Sequence, residues 1–226
     1  MMNKGRLLGI GVGCGSSADL TYAAKNAIEN SDIVIFPAGS REHCRAYTIV
    51  RDVLKDGQET EFFDFPMTRD KYDLIKRHSE IYKRTRDLLD RGKTVSFITI
   101  GDPLIYSTFS YIGEMAERDG YEMKIINGIP SFLSCAGRLA LFLGQEDEEI
   151  HIIPGSADLN DALSLKGIKI FMKLGKKTPA LRQAIKTGDH TFLGAVSHCG
   201  MSDERIYRDL SEIPDEMAYL MTAFVR

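Results

Sequence analysis

Three segments of this chain hold glycine, carboxylate and small polar residues in patterns that suit ligand binding at the end of a β-strand. The first is Gly9-Ile10-Gly11-Val12-Gly13-Cys14-Gly15. Glycine has no Cβ, so the backbone turns tightly there and a ligand can approach closely. Gly13-x-Gly15-x-x-Ala18 also satisfies the relaxed dinucleotide spacing, although a plain strand-to-helix turn would use the same glycines. A dinucleotide site further requires an acid at the end of the second strand for the ribose hydroxyls. That strand ends Phe36-Pro37-Ala38, with no carboxylate. The second segment is Thr99-Ile100-Gly101-Asp102-Pro103-Leu104-Ile105-Tyr106-Ser107-Thr108. Its Gly-Asp-Pro puts a carboxylate and free backbone groups at a strand's C-terminal edge, where open α/β sheets bind ligands. The plain alternative is a turn in which proline starts a helix. The third is Asn127-Gly128-Ile129-Pro130-Ser131-Phe132, where Ser131 can cap a helix or meet a ligand beside free backbone N–H groups.

The elements that must position these segments follow from hydrophobic periodicity. Strands are expected at residues 6–12, 33–36, 61–65 and 94–100, and helices at 20–30, 44–54, 71–91 and 108–118. Asp19 or Ser17 is the candidate cap of the 20–30 helix, and Gly92 ends the 71–91 helix. Asp119-Gly120 is polar and turn-forming, and divides the chain into expected domains 1–118 and 119–226. Beyond it, strands are expected at 122–126, 150–153, 168–172, 191–196 and 219–225, with a helix at 132–141. The alternation of short apolar runs with longer amphipathic stretches predicts an α/β fold.

Composition narrows the function classes. The 226 residues are 43% hydrophobic and 27% charged, which excludes a disordered or coiled-coil chain. A net charge of −3 argues against bulk nucleic-acid binding. No apolar run approaches the ~18 residues of a membrane span, and no cleavage pattern follows the first apolar run, so a cytoplasmic location is expected. Cys14, Cys44, Cys135 and Cys199 are scattered, without a C-x-x-C pair, and read as reduced buried thiols. His43-Cys44 and His198-Cys199 are sequence neighbours, which rarely converge on one ion, so no protein-bound metal is expected. His78 and His151 read as packing or surface residues.

Taken together, the three loops resemble those of the tetrapyrrole methylases, a class of S-adenosylmethionine (SAM) methyltransferases of corrin and sirohaem synthesis. The first loop, with Leu20-Thr21 after it, is similar to that family's Gly-x-Gly-Pro-Gly motif and Leu-Thr helix start. Gly101-Asp102-Pro103 resembles its second motif, and residues 127–131 its Pro-Gly-Val-(Ser/Thr)-Ser turn. Phe65-Pro66-Met67-Thr68-Arg69-Asp70, the Tyr106-Ser107-Thr108 extension and Phe171-Met172-Lys173 look like the precorrin-2 C(20)-methyltransferase branch. Cys14 stands where proline is usual, and Asn127 and Pro130 where proline and Ser/Thr are usual.

The resemblance implies two α/β domains with SAM folded in the cleft between them. Carried over by position, SAM contacts fall on Cys14, Ile100, Gly101, Asp102, Ile105, Pro130, Ser131, Met172, Val196 and Ala218. The implied reaction moves the SAM methyl to meso carbon C(20) of precorrin-2 or cobalt-factor II. Any cobalt then belongs to the substrate. Asp102, Lys173 and Tyr219 are the ionisable candidates for catalysis, as base, orienter or charge stabiliser. Arg41, Arg45 and Arg69 are candidates to meet substrate carboxylates, beside their plainer reading as solvated charge. The resemblance also implies a homodimer, while the charge balance and the short apolar runs lead us to expect no nucleic-acid or membrane partner. The competing expectations are a methylase acting at another ring position and a non-catalytic nucleotide- or tetrapyrrole-binding module.

Overall fold

Alternate residues of β1 (Arg6–Gly11) serve two separate cores, because successive side chains of a strand point to opposite faces. The computed structural model describes residues 4–65, 70–214 and 220–226. These fall into two compact units, 1–130 and 131–226.

In the first unit, β1 pairs in parallel with β4 (Thr94–Thr99) and with β5 (Glu122–Ile126). β2 (Ile33–Phe36) pairs in parallel with β4 and with β3 (Glu59–Phe62), giving the order β3-β2-β4-β1-β5. One face carries Leu8, Ile10, Val34, Phe36 and Ile98. It packs against Ala24 and Ile28 of α1 (Tyr22–Glu29) and Ala46, Ile49 and Val50 of α2 (Arg45–Val50). The other carries Leu7, Ile33, Ile35, Val95 and Phe97. It packs against Ile81, Tyr82, Leu88 and Leu89 of α3 (Lys71–Asp90) and Phe109, Ile112 and Ala116 of α4 (Phe109–Arg118). Burial on both faces is why the inner strands β1, β2 and β4 read as largely apolar runs. Truncating the fully buried Phe97 to alanine would cost about 3–5 kcal/mol.

Several boundaries differ from the sequence-based expectation, each for a local reason. Ser17–Asp19 close a 3₁₀ turn capped by Ser16, so neither Asp19 nor Ser17 caps α1. Thr21 does so, its hydroxyl accepting from the Ala24 N–H at 3.1 Å. The expected 44–54 helix splits into α2 and a 3₁₀ turn, Arg51–Val53. β3 lies at 59–62 rather than 61–65, in register with the four residues of β2. Asp119-Gly120 is a turn inside the first unit, because β5 beyond it pairs with β1. The units divide instead at Pro130 and Ser131.

The second unit is also α/β. β6 (Ile150–Pro154), β7 (Ile168–Met172), β8 (Phe192–Ser197), β9 (Arg205–Tyr207) and β10 (Met221–Val225) form a sheet in the order β6-β7-β10-β8-β9. β6 and β7 run parallel, and the remaining pairs are antiparallel. One face packs Phe171, Ala195, Met221 and Ala223 against α6 (Leu159–Leu163) and α7 (Thr178–Thr187). On the other face Leu139 of α5 (Ser131–Leu139) lies against Gly194, where a Cβ would come within 2.7 Å of it. The expected 132–141 helix stops at Leu139, followed by Ala140 at φ 53°. α6, α7 and β9 were not foreseen.

Candidate functional site

Neighbouring strands β1 and β4 send their chains to opposite faces of the first sheet. α1 follows β1 onto one face, and α4 follows β4 onto the other. Diverging connections make a topological switch point, and in open α/β sheets the ligand crevice usually lies outside the strands' C-terminal ends at such a point. All three motif loops begin there, after β1, β4 and β5.

The loops touch through backbone. The Gly101 N–H donates to the Gly13 carbonyl at 2.8 Å, and the Gly13 N–H to the Gly101 carbonyl at 3.3 Å. The Val12 N–H donates to the Thr99 carbonyl at 3.0 Å. A Cβ on Gly11 would lie 2.5 Å from the Gly128 nitrogen and 2.6 Å from the Gly101 oxygen. Any side chain at position 11 or 128 would therefore push the three loops apart.

Asp102 locks this arrangement. It is 5% exposed, and its carboxylate takes three donors. Oδ1 accepts from the Leu104 N–H at 2.8 Å. Oδ2 accepts from the Asn127 side-chain amide at 3.0 Å and the Gly128 N–H at 3.1 Å. The Thr21 hydroxyl, which caps α1, donates to the Asn127 carbonyl at 3.4 Å. Of the roles expected for Asp102, this geometry suits the orienter: its oxygens are turned to loop donors. The linking parts played by Asn127 and Thr21 were missed in the sequence. The signal available was an amide donor where the family usually has a proline.

The other expected contacts of the first unit lie on these loops. Cys14 is 3% exposed between two glycines. Ile100 is 36% exposed, and Ile105 is half-buried with its N–H directed at the Asp102 carbonyl, 3.3 Å away. Tyr106 is exposed, at φ 47°. Ser107 ties the loop down: its Oγ bonds Thr99 Oγ1 at 2.8 Å and accepts from the Phe109 N–H. Pro130 is half-buried at the end of the unit. Gly13-x-Gly15-x-x-Ala18 runs into a 3₁₀ turn instead of opening an α-helix, so it lacks the helix start that a dinucleotide pyrophosphate would use.

In the second unit, Ser131 is the first residue of α5. Met172 and Val196 both pair with Thr222, which places them in one row on one face of the sheet. Both are buried. Lys173 follows β7 at φ 57°, and its N–H donates to the Met221 carbonyl at 3.0 Å. Burial pushes its ammonium pKa below the ordinary lysine value. Ala218 and Tyr219 lie outside the described residues, as does Arg69 with the rest of the 66–69 segment.

The remaining candidates have local roles. The Arg41 guanidinium lies over the Tyr47 ring at 4.9 Å, and Arg45 is exposed on α2. Cys44 Sγ accepts from the Tyr47 N–H and caps α2, while His198 Nδ1 meets Asp203 Oδ2 at 2.9 Å. His78 is a core residue stacked on Tyr111, with ring centroids 4.3 Å apart, and His151 bonds Glu149 at 3.1 Å. Among the described residues, no three His, Cys, Asp or Glu side chains group as a metal site, and no helix is long and apolar enough to cross a membrane.

Residues 6–214 match the tetrapyrrole (corrin/porphyrin) methylase family. The chain is 33% identical over 208 residues to a probable cobalt-precorrin-2 C(20)-methyltransferase of Methanocaldococcus jannaschii, covering 91% of this chain and 88% of that one. It is 27% identical over 234 residues to cobalt-precorrin-2 C(20)-methyltransferase of Salmonella typhimurium, covering 98% and 96%. Among solved structures it is similar to a cobalt precorrin-4 methyltransferase, with a TM-score of 0.76, 18% identity and coverage of 97% and 94%. Another is uroporphyrin-III-C-methyltransferase from Thermus thermophilus, with a TM-score of 0.71, 18% identity and coverage of 98% and 91%. At such identities these two likenesses establish the fold.

Proposed function

Because this chain belongs to the tetrapyrrole (corrin/porphyrin) methylases, we propose that it is a SAM-dependent C-methyltransferase acting at C(20) of precorrin-2 or cobalt-factor II in cobalamin synthesis. The observation that carries the reading is the meeting of three loops at the C-terminal ends of β1, β4 and β5: a buried carboxylate ties the second to the third, and backbone hydrogen bonds tie the first to the second. The substrate follows the names of relatives that match most of the chain. The crevice also fits the co-substrate. Ile100 and Ile105 offer apolar surface for a purine, and the peptide groups of the first two loops border it.

When bound, SAM supplies an activated methyl on a sulfonium, which the meso carbon takes with loss of its proton. The protein's main task is alignment, and proximity can contribute about 7–11 kcal/mol. In this reading Cys14, Ile100, Gly101, Ile105, Pro130, Ser131, Met172, Val196 and Ala218 contact the co-substrate. Asp102 orients the loops. Lys173, whose burial favours its neutral form, accepts the meso proton or offsets charge on the macrocycle. Tyr219 is the third ionisable candidate. A cytoplasmic homodimer belongs to the same reading.

The test is anaerobic incubation with SAM and either precorrin-2 or cobalt-factor II, followed by mass spectrometry and NMR. A product heavier by one methyl, located at C(20), is expected with one of the two. A methyl at another ring position would move the enzyme to another branch of the family. No product with either, despite SAM binding, would remove the substrate assignment.

A further inference from the structure

We propose that Asn127 is a positioning residue for methyl transfer, linking the Gly-Asp-Pro loop to the turn after β5. The inference rests on the reading of the crevice as the methyl-donor site. Three observations converge on this residue. Its side-chain amide donates to Asp102 Oδ2 at 3.0 Å, beside the Gly128 N–H at 3.1 Å on the same oxygen. Its carbonyl accepts from Thr21, so the N-cap of α1 joins the same chain of bonds. Gly11, Gly101 and Gly128 meet backbone to backbone at this point, where a displacement of even one ångström is felt by all three loops. In this chain the amide does what the family's usual proline cannot: it donates to the carboxylate without adding charge. A proline there would have no donor.

Among the described residues, charged groups near this loop include Asp19, against Gly13, and Arg6 and Lys124, which line a groove between α1 and β5 together with Thr21 and Asn127. None of them replaces the amide as a bond to Asp102 among the hydrogen bonds described.

The test uses the full-length protein, Asn127→Asp and Asn127→Ala, with SAM affinity by calorimetry and methyl transfer both followed from pH 5.5 to 8. Asn127→Asp keeps the shape but sets two carboxylates in hydrogen-bond contact, which cannot both hold their charge at little cost. At pH 8 its SAM affinity is expected to fall about tenfold or more. Towards pH 5.5 one of the pair takes a proton, becomes a donor and restores the bond, so affinity recovers towards the parent's. Asn127→Ala loses affinity at every pH and does not recover. Recovery on acidification also shows that the variant is folded. Parent-like affinity and turnover of both variants across the range would overturn the inference alone. A loss in Asn127→Asp that does not recover in acid would also overturn it, as a merely structural effect. Absence of SAM binding by the parent protein would overturn the methyl-donor reading and this inference with it.

Discussion

Gly13 and Gly101 face each other as an antiparallel bridge, although the strands that lead to them, β1 and β4, run parallel. Both sit at positive φ, 68° and 76°, and each N–H donates to the other's carbonyl. The bridge holds two ligand-loop backbones at a fixed separation without using a side chain. Gly13→Ala meets two penalties. An L-residue in this backbone region costs about 1–2 kcal/mol. Its Cβ would also lie 2.8 Å from Asp19 Cβ. Gly57 is the control, with φ 75° and nothing within 4 Å of an added Cβ. Urea unfolding should show Gly13→Ala losing more stability than Gly57→Ala, with SAM affinity lowered only in the first. Equal losses would mean that the bridge carries no more than ordinary turn strain.

Asp102→Asn separates an orienting role from a proton-accepting one. All three partners of the carboxylate are donors. However the new amide is turned, its nitrogen faces a donor. A lost hydrogen bond to a charged group with its partner left unpaired costs about 1–3 kcal/mol. Asp102→Asn is therefore expected to lower the unfolding midpoint and the SAM affinity together with kcat. A variant with parent-like stability and SAM affinity but collapsed kcat would instead make Asp102 the proton acceptor.

What was legible in the sequence is what local pattern encodes. The strands leading to the loops are five or six residues long, β1 and β4 mostly apolar, and the loops at their ends carry the punctuation of glycine and proline. The division of the chain was not legible at Asp119-Gly120, because a polar Asp-Gly turn looks the same inside a unit as between two. Only the pairing of β5 with β1 assigns the turn to the first unit. The partner of Asp102 was hidden for the same reason. Asn127 is far along the chain and reaches it through that long-range register. Thr21 lost to Asp19 and Ser17 as an expected cap because the 3₁₀ turn at 17–19 has no apolar periodicity to announce it. β9, of three residues, is too short for alternation to register.

His78 gives the first unit an acid limit. Burial between Phe65 and Tyr111 holds its pKa below the ordinary 6.5. The folded chain then binds fewer protons than the unfolded chain between the lowered value and 6.5. Stability is fully present above pH 6.5 and falls as pH drops through the folded pKa. His78→Phe keeps an aromatic ring in the stack and removes the titration. Its unfolding free energy should depend less steeply on pH below 6.5 than the parent's. Parallel pH profiles for the two proteins would show that another group sets the acid limit.

Lys173 provides the corresponding test at alkaline pH, and it bears on catalysis as well as stability. Its pKa lies below 10.5 because burial disfavours the ammonium. Between the lowered value and 10.5 the folded state binds fewer protons than the unfolded state, so this lysine's penalty on folding is relieved as pH rises through that window. The parent's unfolding free energy should accordingly rise with pH through that window more steeply than that of Lys173→Met, which does not titrate. If the neutral amine takes the meso proton, kcat rises with pH through an ionisation below that of a free lysine. Lys173→Arg keeps a cation but cannot deprotonate. It should lose the rising limb, and about 10²–10⁴ in kcat, the usual contribution of a general base. Tyr219→Phe is the companion variant, because a phenol that accepted the same proton would give a limb of the same sign. Retention of the limb in Lys173→Arg and its loss in Tyr219→Phe would transfer the proton-accepting role to the tyrosine. Loss of rate in Lys173→Arg with KM for SAM unchanged would place the lysine at the macrocycle and away from the methyl donor.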